Sequence, residues 1–496
     1  MMRSYHVPDL LVRKARGRHR RRRGSWSGRR GAMRYGTLAP TGWSVRRRTE
    51  PADSGRVADA HDRVEEDAME RRSRFRILGV LVAFALLAAA CGGGGSPTTT
   101  AGETTTSGPV ATTGDGGTTA PPTTEAENTE PIKIGLLTDL TKTFTPWAVN
   151  VRDGMLLAAQ EINDAGGVNG RMIEIVVQDS ENDADAAVRG LERLVEDGVV
   201  AVGGPISSTV GASAAPVAEE LGMPFFLVKS GTDKALTRDS RYTFRTCLPA
   251  APMIGGPIAQ YAVEQGFTKV GAIVADYAWG HAVKSALEAA FADTGIELQI
   301  EVAPVPPSTD FTPFVRKIAD FEPQLLVASG HPPGMAAILP LAADLIDVPV
   351  TGAFTPPDLI VGRLAEVAVG RYADFPCVDY FSDEYQDLAR RYLAFSDNKF
   401  MSDDAVSGYG IVQIVAEAVA AVGDDPAKIA EYVHANSFEV PGYAYELSWT
   451  EWGELAAARP MFVLVSEGPA PEGVNEAGDW WFELLTQSEP LEPYVP

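Results

Sequence analysis

Four hydroxyls in two short turns are well suited to holding a small molecule: Ser207 with Ser208, and Ser230 with Thr232. Each pair follows an apolar run, Val199–Val202 and Pro224–Val228, that reads as a buried strand. In an open α/β sheet the carboxyl ends of neighbouring strands form the ligand crevice, so the two pairs can converge on one solute. A helical stretch starts beside the first pair, and its first backbone amides would favour an anionic group there. The same residues also suit turn and N-cap duty, and both readings remain open on this stretch alone.

Chemistry of other kinds is poorly supported. The chain has no Cys/His metal spacing, no G-x-S-x-G elbow, no Walker loop and no G-x-G-x-x-G after a first strand. His61, His281, His331 and His434 are scattered, and hydrolysis by Ser208 lacks a partner histidine. The expectation is a binding protein without a cofactor, not an enzyme.

The elements that must position the hydroxyls form an α/β series. Ile132–Leu137, Ile173–Val177 and Val199–Val202 read as strands, with helices between them that carry Val151, Met155, Ala159 and Ile162, then Val188, Leu191 and Val195 on single faces. That alternation predicts a parallel sheet covered on both sides. Pro249, Pro252 and Pro257 interrupt the pattern after Tyr242–Cys247 and suggest a crossing between lobes. A second series follows: strands at Val270–Ala275, Leu298–Val302, Leu325–Ala328 and Val348–Thr351, with helices at Ala282–Thr294, Phe314–Phe321 and Met335–Leu345. Tyr409–Val422 reads as a long helix, and Tyr443–Trp449 and Met461–Val465 as the last strands. The stretch from Pro469 onward shows no clear pattern.

Charge divides the chain. The formal net charge is −23, yet residues 1–76 carry 21 Lys/Arg against 9 Asp/Glu, which leaves 22 against 57 in the remainder. The acidic remainder argues against nucleic acid as a partner. Arg18–Gly24 could be a basic arm, but the segment before Met69 reads instead as an over-long start or disordered sequence. From Met69, basic residues precede the apolar run Ile77–Ala90 and then Cys91, the order of a secretory signal peptide and too short a run for an ordinary membrane span. Leu87–Cys91 resembles a bacterial lipobox, which implies a lipid-modified Cys91. Gly, Thr, Pro and Ser dominate as far as Thr129 and read as a flexible tether. Cys247 and Cys377 are then an even pair in an oxidising location, where one disulfide is permitted but not settled by sequence.

Several motifs now line up in order: Ile132–Gly135, Arg152-Asp153-Gly154, Glu161-Ile162-Asn163, Ala165–Arg171, Gly204-Pro205 with Ser207-Ser208, Ala215–Glu219, Phe244-Arg245-Thr246, Trp279-Gly280 and Thr309-Asp310-Phe311. From about residue 131 to 465 the chain resembles the ABC-importer solute-binding proteins of the branched-chain amino acid-binding type. The resemblance implies a type I periplasmic-binding fold: two Rossmann-like parallel-sheet lobes, joined by three hinge crossings, that close on a ligand. The implied division is 1–68 over-long or disordered, 69–90 signal peptide, 91–130 tether, 131–246 and 378–440 first lobe, 247–377 and 441–487 second lobe, and 488–496 tail.

By position, the resemblance carries ligand binding onto Ser208, Ser230 and Thr232, with Ser207 and Gly231 beside them. It also carries it onto the aromatic Trp147 of the first lobe, and onto Trp279, His331 and Phe354 of the second. Amino-acid binders place an acid near Phe354 to pair with the ligand ammonium; here Asp276 or Asp358 would have to serve. Lys229 replaces the usual Pro before Ser230 and reads as a solvated turn lysine, although beside the hydroxyls it would favour a carboxylate. The implied function is capture of a small carboxylate or amide solute (an amino acid or an aromatic or apolar acid) by a lipid-anchored, monomeric protein outside the cell membrane, for delivery to an ABC permease. An extracellular sensing domain is the alternative. If Cys247 and Cys377 pair, the bridge lies near the crossings and limits hinge travel.

Overall fold

The computed structural model describes residues 129–306, 310–352, 364 and 366–496. The signal-like run, Cys91, Thr309, Phe354 and Asp358 therefore lie outside the described residues.

Chain order gives β1 (Ile132–Thr138), α1 (Thr145–Asp164), β2 (Ile173–Asp179), α2 (Ala184–Glu196), β3 (Ala201–Gly203), α3 (Ser208–Leu221), β4 (Phe225–Leu227) and β5 (Thr243–Arg245). These strands form one parallel sheet in the order β2-β1-β3-β4-β5. The strand order reverses between β1 and β3, so the loops after these two strands diverge and leave a crevice at their carboxyl ends. Local sequence sets the helix limits. Asp183 caps α2 by accepting the Ala186 N–H, and Pro146 opens α1, where a missing N–H costs nothing.

The second series runs α4 (Ala251–Glu264), β6 (Lys269–Ala275), α5 (Ala278–Phe291), β7 (Glu297–Ala303), α6 (Thr312–Asp320), β8 (Leu325–Val327), α7 (Met335–Leu345), β9 (Val350–Thr351) and β10 (Tyr372–Asp374). The chain then returns to pack α8 (Asp383–Phe395), α9 (Asp403–Val422) and α10 (Pro426–Ala435), and adds β11 (Met461–Glu467) and β12 (Trp480–Gln487). The second sheet has the order β12-β11-β10-β9-β8-β6-β7, parallel except where β11 meets β10 and β12. The architecture is thus α/β with two parallel-sheet lobes, as the sequence implies.

The prolines after Cys247 lie where the chain passes from the first sheet to the second, and two of them fall in a helix: Pro252 in the first turn of α4 and Pro257 within it. Two local expectations need correction. Tyr443–Trp449 is not a strand; it makes isolated bridges, Tyr443 to Val378, Leu447 to Phe438 and Trp449 to Leu455. The stretch after Pro469, without a pattern in sequence, contains β12, which pairs along the whole of β11 and places Trp480, Trp481 and Phe482 in the core. Aromatics on both faces of that strand hid the two-residue alternation.

The chain passes between sheets after β5, after β10 and after α10. Cys247 follows β5 and Cys377 follows β10; they form a disulfide, with Cα atoms 5.3 Å apart. The third passage is tied to both: Ala444 N donates to Cys377 O at 2.9 Å, and Trp449 Nε1 donates to Arg245 O at 2.6 Å.

Helix α9 is buried over most of its length and packs on α1. A Cβ at Gly408 would overlap the Val151 carbonyl, so the two backbones meet where no side chain fits. Gly408→Val is expected to force them apart and to lower unfolding free energy by about 1–3 kcal/mol, read as a reduced urea midpoint; an unchanged midpoint would show that the close approach is not needed.

Candidate functional site

At the carboxyl ends of β1, β3 and β4 the two hydroxyl turns are knitted together. Ser230 Oγ donates to Ser207 O at 2.9 Å, and Ser208 Oγ accepts the Thr232 N–H at 3.3 Å. Ser207, Ser208, Ser230 and Thr232 are all buried. Ser207 occupies the N-cap position of α3 but makes no side-chain cap bond, and its Oγ is buried without a partner among the described residues. Thr232 Oγ1 accepts the Lys234 N–H at 3.4 Å. The sequence thus placed these hydroxyls together correctly, while much of their bonding joins turn to turn.

A carboxylate of the protein itself lies just before α3, on the N-cap amide of Ser207. Asp139, just past β1, is fully buried; its Oδ2 accepts the Ser207 N–H at 3.0 Å and its Oδ1 accepts Ser180 Oγ at 2.5 Å. Burial raises the Asp139 pKa, partly offset by those bonds and by the Ile206 N–H. Tyr277 from the second lobe is half-buried, and desolvation and then the Asp139 carboxylate raise its pKa.

Across from the turns stands an aromatic wall. Phe144, Trp147, Ile206 and Lys229 from the first lobe face Leu248, Tyr277, Trp279 and Pro332 around a cavity of about 20 Å³, room for a single water. Phe144 joins the lobes: its ring centroid lies 5.6 Å from both Trp147 and Tyr277. Trp279 Nε1 donates to Ser329 O at 3.0 Å, and its ring lies so close to Gly231 that a Cβ there would overlap it. The cleft is closed in this state, with the second-lobe indole seated on the first-lobe turn.

His331 has a different task from the one the resemblance implied. Its Nδ1 accepts the Gly334 N–H at 3.0 Å, so the proton sits on Nε2, 3.1 Å from Pro304 O. With both nitrogens held by backbone and burial lowering its pKa, the ring is neutral and braces the turn that carries Pro332. Asp276 also stands apart: its side chain is largely exposed and meets His281 Nε2 at 3.0 Å.

Lys229 is not a solvated turn lysine. Its side chain is 3% exposed, and its Nζ lies 2.8 Å from Asp403 Oδ1 and 3.1 Å from Asp404 Oδ1, both in the first turn of α9. Burial acts to strip the proton, but the two carboxylates outweigh it and hold the pKa above its ordinary value. Asp404 is pushed up to about 7, chiefly by desolvation. Asp403 Oδ2 lies 3.5 Å from Cys247 Sγ, so the cluster abuts the disulfide. Arg245 forms a second buried pair with Glu454, Nε to Oε2 at 2.9 Å, and its other nitrogens donate to the carbonyls of Ser230 and Thr232.

Sequence reasoning missed Asp139, Phe144, Tyr277, Asp403 and Asp404. Asp139 carried a usable signal, a carboxylate directly after the first strand. The Asp403-Asp404 pair lies before the helix expected from Tyr409, and only folding brings Asp403 to Lys229, 174 residues away.

Comparisons with known proteins agree with this geometry. Residues 131–467 match the family model described as periplasmic binding protein. A leucine-, isoleucine-, valine-, threonine- and alanine-binding protein of Pseudomonas aeruginosa is 25% identical over 342 residues, which cover 66% of this chain and 87% of that one. Two solved structures share the fold. One is a solute-binding protein of an ABC transporter from R. palustris in complex with benzoate (TM-score 0.60, 19% identity, 73% of this chain and 98% of that one). The other is a leucine-binding protein, LivK, from Thermotoga maritima (TM-score 0.62, 17% identity, 72% and 99%).

Asp404 has a consequence for stability. A carboxyl with a higher pKa folded than unfolded makes the fold take up a proton, so its contribution is complete below the ordinary value of 3.8 and is lost as pH rises through about 7. The urea midpoint of the wild type is expected to fall between pH 5 and 8, and Asp404→Asn to flatten that fall; equal slopes in the two proteins would contradict the assignment.

Proposed function

Because the chain belongs to the periplasmic binding protein family, we propose that the cavity between its lobes is where the solute of an importer is captured. The protein is an extracytoplasmic solute-binding protein of the ABC-transporter type, not an enzyme. The finer reading is that it takes a small carboxylate or amide solute, an amino acid or an aromatic or apolar acid. The observation that carries it is a cavity walled by Phe144, Trp147, Tyr277 and Trp279, with the Trp279 ring seated on Gly231 between Ser230 and Thr232. The ligands named for two relatives, small aliphatic amino acids and benzoate, support that range.

In this reading Ser208, Ser230 and Thr232 bind the polar end of the ligand, with Ser207 and Gly231 shaping the turns. Trp147 and Trp279 pack on its body, and Phe354 belongs to the same proposed set. Residues 131–246 with 378–440 make the ligand-receiving lobe, and 247–377 with 441–487 the closing one. A ligand that fits between them shifts the balance toward closure only by its differential affinity for the closed form. Cys91 carries the lipid that holds the protein at the outer face of the membrane, beside the permease that receives the solute.

Isothermal titration with leucine, glycine, phenylacetate and short amides tests the ligand range. At least one is expected to bind with a Kd in the micromolar range, about −8 kcal/mol; silence from all four would remove the proposed range. For the anchor, Cys91→Ser is expected to move the protein from the membrane fraction to the soluble fraction. Retention at the membrane would refute lipid attachment there.

A further inference from the structure

We propose that residues 488–496 are a strap that runs back across the hinge, from the second lobe to the first, and favours the closed arrangement of the lobes. The inference goes beyond solute capture and rests on that reading only in that the lobes move. The sequence marks this stretch as a tail, but it is anchored at both ends. Where it leaves β12, Ser488 N donates to Pro460 O at 3.1 Å and Leu491 N donates to Ala458 O at 2.9 Å. Pro460 and Ala458 stand just before β11, so this end belongs with the second sheet. The Leu491 side chain is buried and shares a small apolar pocket with Ile254 and Ile258 of α4, Phe375 and Phe462.

At the far end the partners are those of the first lobe. Trp452 Nε1 donates to Tyr494 O at 3.0 Å, and the neighbouring Gly453 O accepts the N–H of Arg245 in β5, also at 3.0 Å. Arg238 Nε donates to Pro496 O at 3.0 Å. Arg238 lies between β4 and β5 in a turn closed from both sides, Thr237 N to Ser240 Oγ at 3.0 Å and Ser240 N to Thr237 O at 3.1 Å. Desolvation and then the Asp233 carboxylate raise the Tyr494 pKa, so this end lies near the residue that follows Thr232. The strap therefore runs antiparallel to the third passage and then continues past it to the first lobe. From Leu491 to Pro496 the chain can reach at most about 18 Å when fully extended. A lobe rotation that carries Arg238 away from the Leu491 pocket by more than the slack must break one end. The bond at Arg238 is exposed and that at Trp452 only part-buried, whereas Leu491 is buried, so the first-lobe end lets go first. Its two bonds then count toward the closed form and not toward the open one.

The test is the distance between spin labels on Lys142→Cys and Asp276→Cys, read by electron paramagnetic resonance without added solute. Both residues are exposed, one two positions before Phe144 and the other directly before Tyr277, so the labels flank a contact between the lobes. The full chain is used with Cys91→Ser, which leaves Cys247 and Cys377, joined in the disulfide, as the other cysteines. Arg238→Ala combined with Trp452→Phe removes both donors at the first-lobe end. It is expected to lower the ratio of short to long label distances by about threefold or more, and a chain stopped after Gln487 to lower it at least as far. An unchanged distance distribution in the double variant, a shift to shorter distances, or labels already far apart in the parent would overturn the strap. Any of these leaves the solute-binding reading standing, because calorimetry with solutes tests that reading separately. Should the shortened chain fail to fold, the double variant, which changes one exposed and one part-buried bond, still decides the matter.

Discussion

A buried ammonium must be answered by carboxylates within a few ångströms, and at Lys229 that requirement links the parts of the molecule that matter for binding. The lysine sits in the turn that carries Ser230 and Thr232. Its partners, Asp403 and Asp404, begin the helix that packs backbone-to-backbone on α1. Asp403 also lies 3.5 Å from Cys247 Sγ, in the disulfide between two of the three passages from lobe to lobe. Register of α9, position of the binding turn and placement of the hinge are therefore one arrangement. Displacing any member would leave a charge in the interior without its counterpart.

A second buried pair acts in the same way. Arg245, at the end of β5, holds Glu454 of the third passage and the carbonyls of the binding turn together. The hinge is thus drawn against the first lobe by ion pairs, by the Cys247–Cys377 bridge and by the Trp449 indole on Arg245 O. Under the proposed clamp reading, lobe motion would have to spare these groups, and the surfaces that part would be those facing the cleft: Trp279 on Gly231 and Tyr277 against Phe144. Those contacts are apolar or tilted ring contacts; exposing them costs roughly 25 cal/mol per Å² of apolar surface, but strands no charge.

Part of the positive charge near the hydroxyl turns is already answered within the protein. An N-terminal helix end and a lysine near two hydroxyl turns would ordinarily describe an anion site. Asp139 takes the Ser207 N–H just before α3 and two aspartates answer the lysine, so part of that positive charge is met within the protein. A site's preference depends on the surplus of charge after internal pairing, not on the types of residue that approach it.

Local patterning was sufficient for much of the fold. Alternation of short apolar runs with helical periods fixed β1 to β4 and β6 to β9, because each element must bury its own face and the pattern records that need. The hydroxyls of Ser207, Ser208, Ser230 and Thr232 were legible for a related reason: strand ends are set locally, and their turns follow at once. What local pattern could not convey was pairing across distance. The partner of Lys229 lies 174 residues on, the neutral state of His331 depends on backbone groups of two separate turns, and β12 is a strand only because β11 lies beside it. Sequence determined which elements exist and which side chains stand at their ends. Tertiary structure alone decided which charges cancel, because cancellation depends on distances of a few ångströms that no spacing along the chain encodes.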